Sequence, residues 1–209
     1  MGLLSADSFN RQIKDAKLRG KRGAGQPDGV ACLKGLLMPD KSAFETSSGL
    51  SRPKIEAARD RILGMKTMVV AVSGNTDTPE IGVSPFIRRE DGLYIYTSHL
   101  SQHVRDLLAC GVATCLLCAD ESDSQNIWAR NRLKFTATAT EIARDDTIFA
   151  SLCDDFAATH GPTMDLIRNF TDFHMLRLDP DTAVLVLGFA KAFRLSGPDF
   201  EIVAHLSEA

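Results

Sequence analysis

The segment from Arg132 to Thr140 alternates without a break. Leu133, Phe135, Ala137 and Ala139 interleave with Lys134, Thr136, Thr138 and Thr140. A period of two puts one set on a buried face and the other on a solvated face of a single strand. Such a strand belongs to a sheet with one face on a core and the other toward solvent, the habit of antiparallel architectures.

The rest of the chain agrees. Short β-type runs are expected at Thr67–Ser73, Glu80–Arg88, Leu93–Thr97, Val112–Ala119, Phe173–Leu178, Ala183–Phe189 and Phe200–Leu206. Helices are expected at Arg52–Met65, behind Ser51 and Pro53, at Ser101–Ala109, at Asp145–Ala158 and at Met164–Phe170. Gly74-Asn75-Thr76-Asp77 and Glu90-Asp91-Gly92 carry turn chemistry, and Pro85 marks an edge or a bulge. No regular strand–helix alternation appears, so a parallel sheet is disfavoured. A mainly β, antiparallel barrel with helical insertions is the expected fold.

Residues 51–209 form the expected barrel domain. Residues 1–50 read as an extension of weak intrinsic structure, with Ser5–Ser8 capping a short helix to about Lys17. The extension is basic: Arg11, Lys14, Lys17, Arg19, Lys21 and Arg22 face only Asp7 and Asp15 over the first 22 residues.

Composition removes several function classes. The 209 residues carry 24 Lys plus Arg and 27 Asp plus Glu, a net charge of -3, so nucleic acid is not an expected partner. No run approaches the ~18 apolar residues of a membrane span. Gly2-Leu3-Leu4 followed by Asp7 is not a secretory signal, and a cytoplasmic location is expected. Five cysteines, mostly in apolar runs, fit small buried hydrophobes. Cys115 and Cys118 form a C-x-x-C. On a strand these two point to opposite faces, and no second pair exists for zinc, so packing is the expected role. No G-x-G-x-x-G, Walker-type loop, G-x-S-x-G or H-E-x-x-H is present.

The densest polar stretch is Tyr96-Thr97-Ser98-His99-Leu100-Ser101-Gln102-His103-Val104-Arg105, where a strand gives way to a helix. Free backbone N–H groups and short hydroxyls there suit an anion such as a phosphate or propionate. The same residues would serve equally as N-caps, with His99 and His103 in solvent. A second cluster, Arg130, Arg132 and Lys134, shares one strand face. It would matter chemically if that face met the Thr97–His103 turn, and otherwise would only protect an edge.

Four blocks carry a resemblance. They are Ser84-Pro85-Phe86 with Asp91-Gly92-Leu93-Tyr94, the Ser98–Leu107 segment, Asp120–Phe135 with Ala129-Arg130-Asn131-Arg132-Leu133, and Asp172-Phe173 followed by Leu176–Pro180 and Gly188–Phe193. In order and spacing they resemble the haem-utilisation proteins of the HugZ/HutZ type. Those belong to the pyridoxamine-5′-phosphate-oxidase-like, FMN-binding split-barrel superfamily.

The resemblance implies a homodimeric split barrel with sites at the protomer interface, each drawing on both chains. It implies haem as cofactor, with FMN as the alternative. Thr97, Ser98, Ser101, Gln102 and His103 fall on the flavin-phosphate turn, where Gln102-His103 replaces an Arg-Lys pair and Arg130 or Arg132 would supply the missing charge. Ser84 and Arg132 fall on flavin-contacting positions. Asp172 matches the acidic residue that hydrogen-bonds the iron-bound imidazole from the other subunit. His205 is the nearest match to the family's iron ligand, with His103 and His174 behind it. The implied activity is oxidative opening of haem with release of iron. The other readings are an FMN-dependent oxidoreductase and a non-enzymatic dimeric binding module.

Overall fold

The structure, a computed structural model, describes residues 48–74 and 78–206. The expected N-terminal helix, Cys32 and the turn at residues 75–77 lie outside the described residues.

Helix α1 (Arg52–Leu63) leads into strands β1 (Thr67–Val72), β2 (Glu80–Arg89) and β3 (Gly92–Ser98). Helix α2 (Gln102–Cys110) then connects to β4 (Val112–Cys118). Two single-turn helices precede β5 (Arg132–Ile142). Helices α3 (Phe149–His160) and α4 (Thr163–Ile167) separate β5 from the long β6 (Phe173–Val186), and β7 (Ala192–Ser196) and β8 (Glu201–Leu206) follow. The strand order is β3-β2-β1-β4-β5-β6-β7-β8, all antiparallel, and an additional β3–β6 pairing closes β1 to β6 into a barrel. Strand β6 makes this possible by its length. Residues 173–178 pair with β3 and residues 182–186 pair with β7 along the same edge. This is the split barrel the sequence pointed to.

The alternation in β5 does what its pattern requires. Leu133, Phe135 and Ala137 are buried in the barrel core with Met68, Val70, Leu117, Leu185 and Phe193. Helix α1 sends Ile55, Ile62 and Leu63 into the same core. A second cluster lies outside the barrel wall, where α3 and α4 cover Tyr94, Tyr96 and Met175 with Phe149, Leu152, Phe156 and Met164. Cys115 is wholly buried, which pushes its thiol up to about 12, in line with a packing role.

Several boundaries differ from expectation. Phe173–Val186 is one strand rather than two, and Asp179-Pro180-Asp181 runs through it without turning. Pro180 sits opposite Ala137, beside the register shift between Phe135 and Ala137. A strand accepts a proline at such an irregularity because a ladder N–H is dispensable there. The strand then stops at Val186, not Phe189, because Gly188 at φ 142° and Ala190 at φ 54° turn the chain into β7, a strand the sequence reading did not contain. Helix α3 starts at Phe149 rather than Asp145, since the Asp146 carboxylate accepts the Ile148 N–H in a local turn. Ser51 occupies the N-cap of α1 but makes no side-chain cap bond; its carbonyl accepts from Lys54 and Ile55 instead. Among the described residues no helix is long and apolar enough to cross a membrane.

Candidate functional site

The seam that closes the barrel brings the C-terminal end of β3 against the start of β6. Thr97 pairs with His174 and Ser98 with Phe173. One step further, the His99 N–H donates to the Asp172 carbonyl at 2.8 Å. This register fixes the side chains at the rim. The Ser98 hydroxyl donates to Asp172 Oδ2 at 2.5 Å and accepts the Leu100 N–H at 3.1 Å. Thr97, His99, Asp172 and His174 are all half-buried.

Two imidazoles and a carboxylate continue the rim. His99 Nδ1 lies 2.9 Å from His174 Nε2, and His174 Nδ1 lies 2.6 Å from Glu141 Oε1. Glu141 on β5 pairs with Leu176 on β6, so it reaches His174 as a diagonal cross-strand neighbour.

The backbone beneath the rim is tied down by Arg144. Its guanidinium donates to the carbonyls of Arg168, Phe170 and Phe173 and lies 5.4 Å from the Phe149 ring centre. Tyr96 donates its hydroxyl to the carbonyls of Ile167 and Arg168. Burial raises its phenol pKa.

The turn into α2 is organised internally. Ser101 is the N-cap of α2 without a side-chain cap bond, and its carbonyl accepts from Val104 and Arg105. Gln102 donates to Asp106 Oδ1 at 2.9 Å and accepts from Arg105. Arg105 also donates to the carbonyls of His99 and Leu100, both at 2.7 Å. His103 points inward. It is 8% exposed, its Nε2 has no partner among the described residues, and burial lowers its pKa. Ser84 lies wholly buried on β2, and its hydroxyl also lacks a partner among the described residues.

The remaining expected site residues lie elsewhere. Arg130 donates to the Ala119 carbonyl and pairs with Glu121 at 3.2 Å. Arg132 pairs with Val186 in register and donates to the Arg130 carbonyl. His205 pairs with Phe193, which pairs with Leu185. Its Nε2 lies 2.9 Å from the Ala190 carbonyl, so that nitrogen is the donor. Phe173 and Leu185 stand near opposite ends of the 14-residue β6, roughly 40 Å of strand apart. Within this one chain, Thr97, Ser98, Ser101, Gln102 and Asp172 therefore come together, while Arg130, Arg132 and His205 gather at the far end.

The sequence reading passed over Glu141 and Arg144, gave Arg105 no role beyond its place in the polar stretch, and left His99 between an anion-binding turn and solvent. The strand runs two residues beyond Thr140 and its alternation breaks there, with Glu141 on the set of positions that carried apolar residues; that break was the available signal for Glu141. Nothing local signals a partner 75 residues away for His99.

No protein-family model matches the chain. Among curated proteins it is similar to the haem oxygenase HutZ of Vibrio cholerae, with 27% identity over 164 residues, 78% of this chain and 92% of HutZ. A crystal structure of HutZ, there described as a haem storage protein, superposes with a TM-score of 0.59 at 24% identity, covering 66% of this chain and 96% of that one. Campylobacter jejuni ChuZ superposes with a TM-score of 0.69 at 21% identity, covering 78% of this chain and 67% of its own. A Clostridium acetobutylicum protein related to general stress protein 26, of the pyridoxine-phosphate oxidase family, gives 0.53 at 12% identity over 70% and 96% of the two chains. The closed barrel, the long shared strand β6 and the similarity along most of HutZ's length make this chain a split-barrel protein similar to HutZ.

Proposed function

We propose that the protein serves haem utilisation, binding haem between two protomers and opening the macrocycle to release iron. The observation that carries this reading is the β3–β6 rim. It offers a carboxylate, Asp172, fixed by the Ser98 hydroxyl, beside two imidazoles and the Arg105 guanidinium. Exposed Leu100 (75%) and Phe170 (45%) supply apolar surface for a flat macrocycle. This donor set fits haem: nitrogen for iron, a cation for a propionate, and carboxylates that fix the segments carrying the imidazoles, Asp172 through Ser98 and Glu141 through His174. Bound haem would supply dioxygen activation; the chain supplies ligand, orientation and a partly desolvated wall. Turnover would draw on an external reductant.

A homodimer follows from the same reading. Asp172 and Arg132 sit at opposite ends of β6, so a site using both must take one from each protomer. An apolar strip on the outer face of the sheet supports such pairing. Ile81 and Val83 are each 66% exposed, and Val83 pairs with Val69, which pairs with Leu116. Trp128 and Phe189, near the Arg132 end, are also largely exposed.

The FMN reading has less support at the proposed phosphate turn. The Ser98 hydroxyl hydrogen is spent on Asp172, Gln102 is spent on Asp106, and burial keeps His103 from carrying charge readily. Two carboxylates, Asp106 and Asp172, flank the turn and would repel a phosphate dianion.

The test is a hemin titration of the purified protein, followed by turnover with ascorbate under air, in wild type and Asp172→Ala. The expected result is a saturable Soret band in wild type and weaker binding with slowed macrocycle loss in the variant. Unchanged affinity and turnover would remove Asp172 from the site. Saturable hemin binding without any turnover would leave storage as the function. Flavin bands in the purified protein would favour the oxidoreductase reading.

A further inference from the structure

With both imidazoles neutral, the relay at the rim has one proton arrangement. The Glu141 carboxylate can only accept, so His174 Nδ1 carries the hydrogen of their 2.6 Å contact. With Nδ1 protonated, a neutral His174 has a lone pair at Nε2. Its 2.9 Å contact to His99 Nδ1 then requires the hydrogen on His99. His99 Nε2 is left as a lone-pair nitrogen, and no described residue hydrogen-bonds it. Both rings are held in orientation, at 5.1 Å between centres. A carboxylate acting through a second imidazole raises the basicity of the outer nitrogen, as hydrogen-bonded partners do for metal-bound histidines.

From this we infer that His99 Nε2 coordinates haem iron in this protein, with His174 and Glu141 as positioning residues. The inference rests on the haem reading above and names the ligand within it. His205, the nearer match by sequence, has its Nε2 donating to the Ala190 carbonyl. It could ligate through that atom only after breaking the bond and losing the proton. His99 needs neither step, because one lone pair is donated to iron and no proton leaves. The surroundings of His99 agree. Arg105 sits on the His99 and Leu100 carbonyls, within reach of a propionate, and Leu100 is exposed beside it.

The test is resonance Raman and absorption spectroscopy of the ferrous hemin complex of the full chain. The variants are His99→Gln, Glu141→Gln and His205→Ala, each checked by circular dichroism for folding. Gln at 99 is preferred to Ala because its amide N–H can still occupy His174 Nε2, which keeps that ring from substituting as ligand. Expected for wild type and His205→Ala is an iron–imidazole stretching band. Expected for His99→Gln is loss of the band and about 10- to 100-fold weaker hemin binding. Glu141→Gln should keep the band at lower frequency, because the amide polarises the relay less; a merely structural role for Glu141 would leave the frequency unmoved. Retention of the band in His99→Gln, or its loss in His205→Ala, would overturn the inference while leaving haem binding intact. Absence of hemin binding by wild type would overturn the inference together with the reading beneath it.

Discussion

The imidazole of His103 fills the space that a side chain at position 82 would occupy. A Cβ on Gly82 would stand 2.0 Å from His103 Cε1 and 2.4 Å from its Nε2. Helix α2 is thus keyed into β2 by a ring lying where a side chain is missing, on the buried side of the strand that also carries Ser84. Gly82→Ala should force the ring out or push α2 off the sheet. Overpacking of this kind costs about 1–3 kcal/mol. Urea unfolding of the variant should show a lower midpoint with little change in slope, and an unaltered midpoint would show that α2 seats without the key.

The same ring should make stability depend on pH. Burial lowers the His103 pKa from 6.5, opposed in part by Glu80 and Asp106. As the pH falls through about 6.5 the unfolded chain takes up this proton while the folded chain does not, so stability falls. The contribution is fully present above that value and is lost toward the lower folded pKa. His103→Gln removes this one proton and leaves the carboxylates in place. Between about pH 7.5 and 5.5 the wild type should therefore lose more of its urea midpoint than the variant does. Equal losses would mean the ring stays hydrated in the folded protein.

Arg144 should govern the order of the segment that carries Asp172. Its guanidinium bonds three backbone carbonyls between residues 168 and 173. A lysine offers one compact charge and cannot span them. In Arg144→Lys, amide exchange should quicken for residues 168–173, and hemin affinity should fall with it, while β1, β4 and β5 keep wild-type protection. Uniform quickening across the barrel would instead make Arg144 a determinant of global stability.

These residues also show what a sequence of this kind yields to reading. The β5 pattern was legible because burial alternates along one strand and nothing remote is needed to see it. Pro180 misled because its usual meaning, the end of a strand, is suspended where a bulge removes the need for its N–H. Asp172 came into view only through the spacing of a motif. Its partner Ser98, 74 positions earlier, was named for a different task, as an anion contact or a cap. His99, His174 and Glu141 come from three different strands or their ends, and only the closed barrel places them in line. Arg130, Arg132 and His205 were grouped with the rim by resemblance, whereas β6 sets them at its far end. That separation belongs to the length of one strand and was not visible in residue types.

Barrel closure has a kinetic consequence. The pairing of β3 with β6 joins segments whose rim residues, His99 and His174, are 75 positions apart. The β1–β2, β2–β3 and β4–β5 hairpins close over far shorter loops. Loop entropy makes distant pairings late, and non-local topology makes them slow. A refolding chain should therefore acquire most of its hairpins before it acquires the rim. If His99 is the ligand inferred above, the order of events is a built-in safeguard: until the last seam shuts, the imidazole relay does not exist. A half-folded chain would have no aligned ligand with which to capture a redox-active macrocycle.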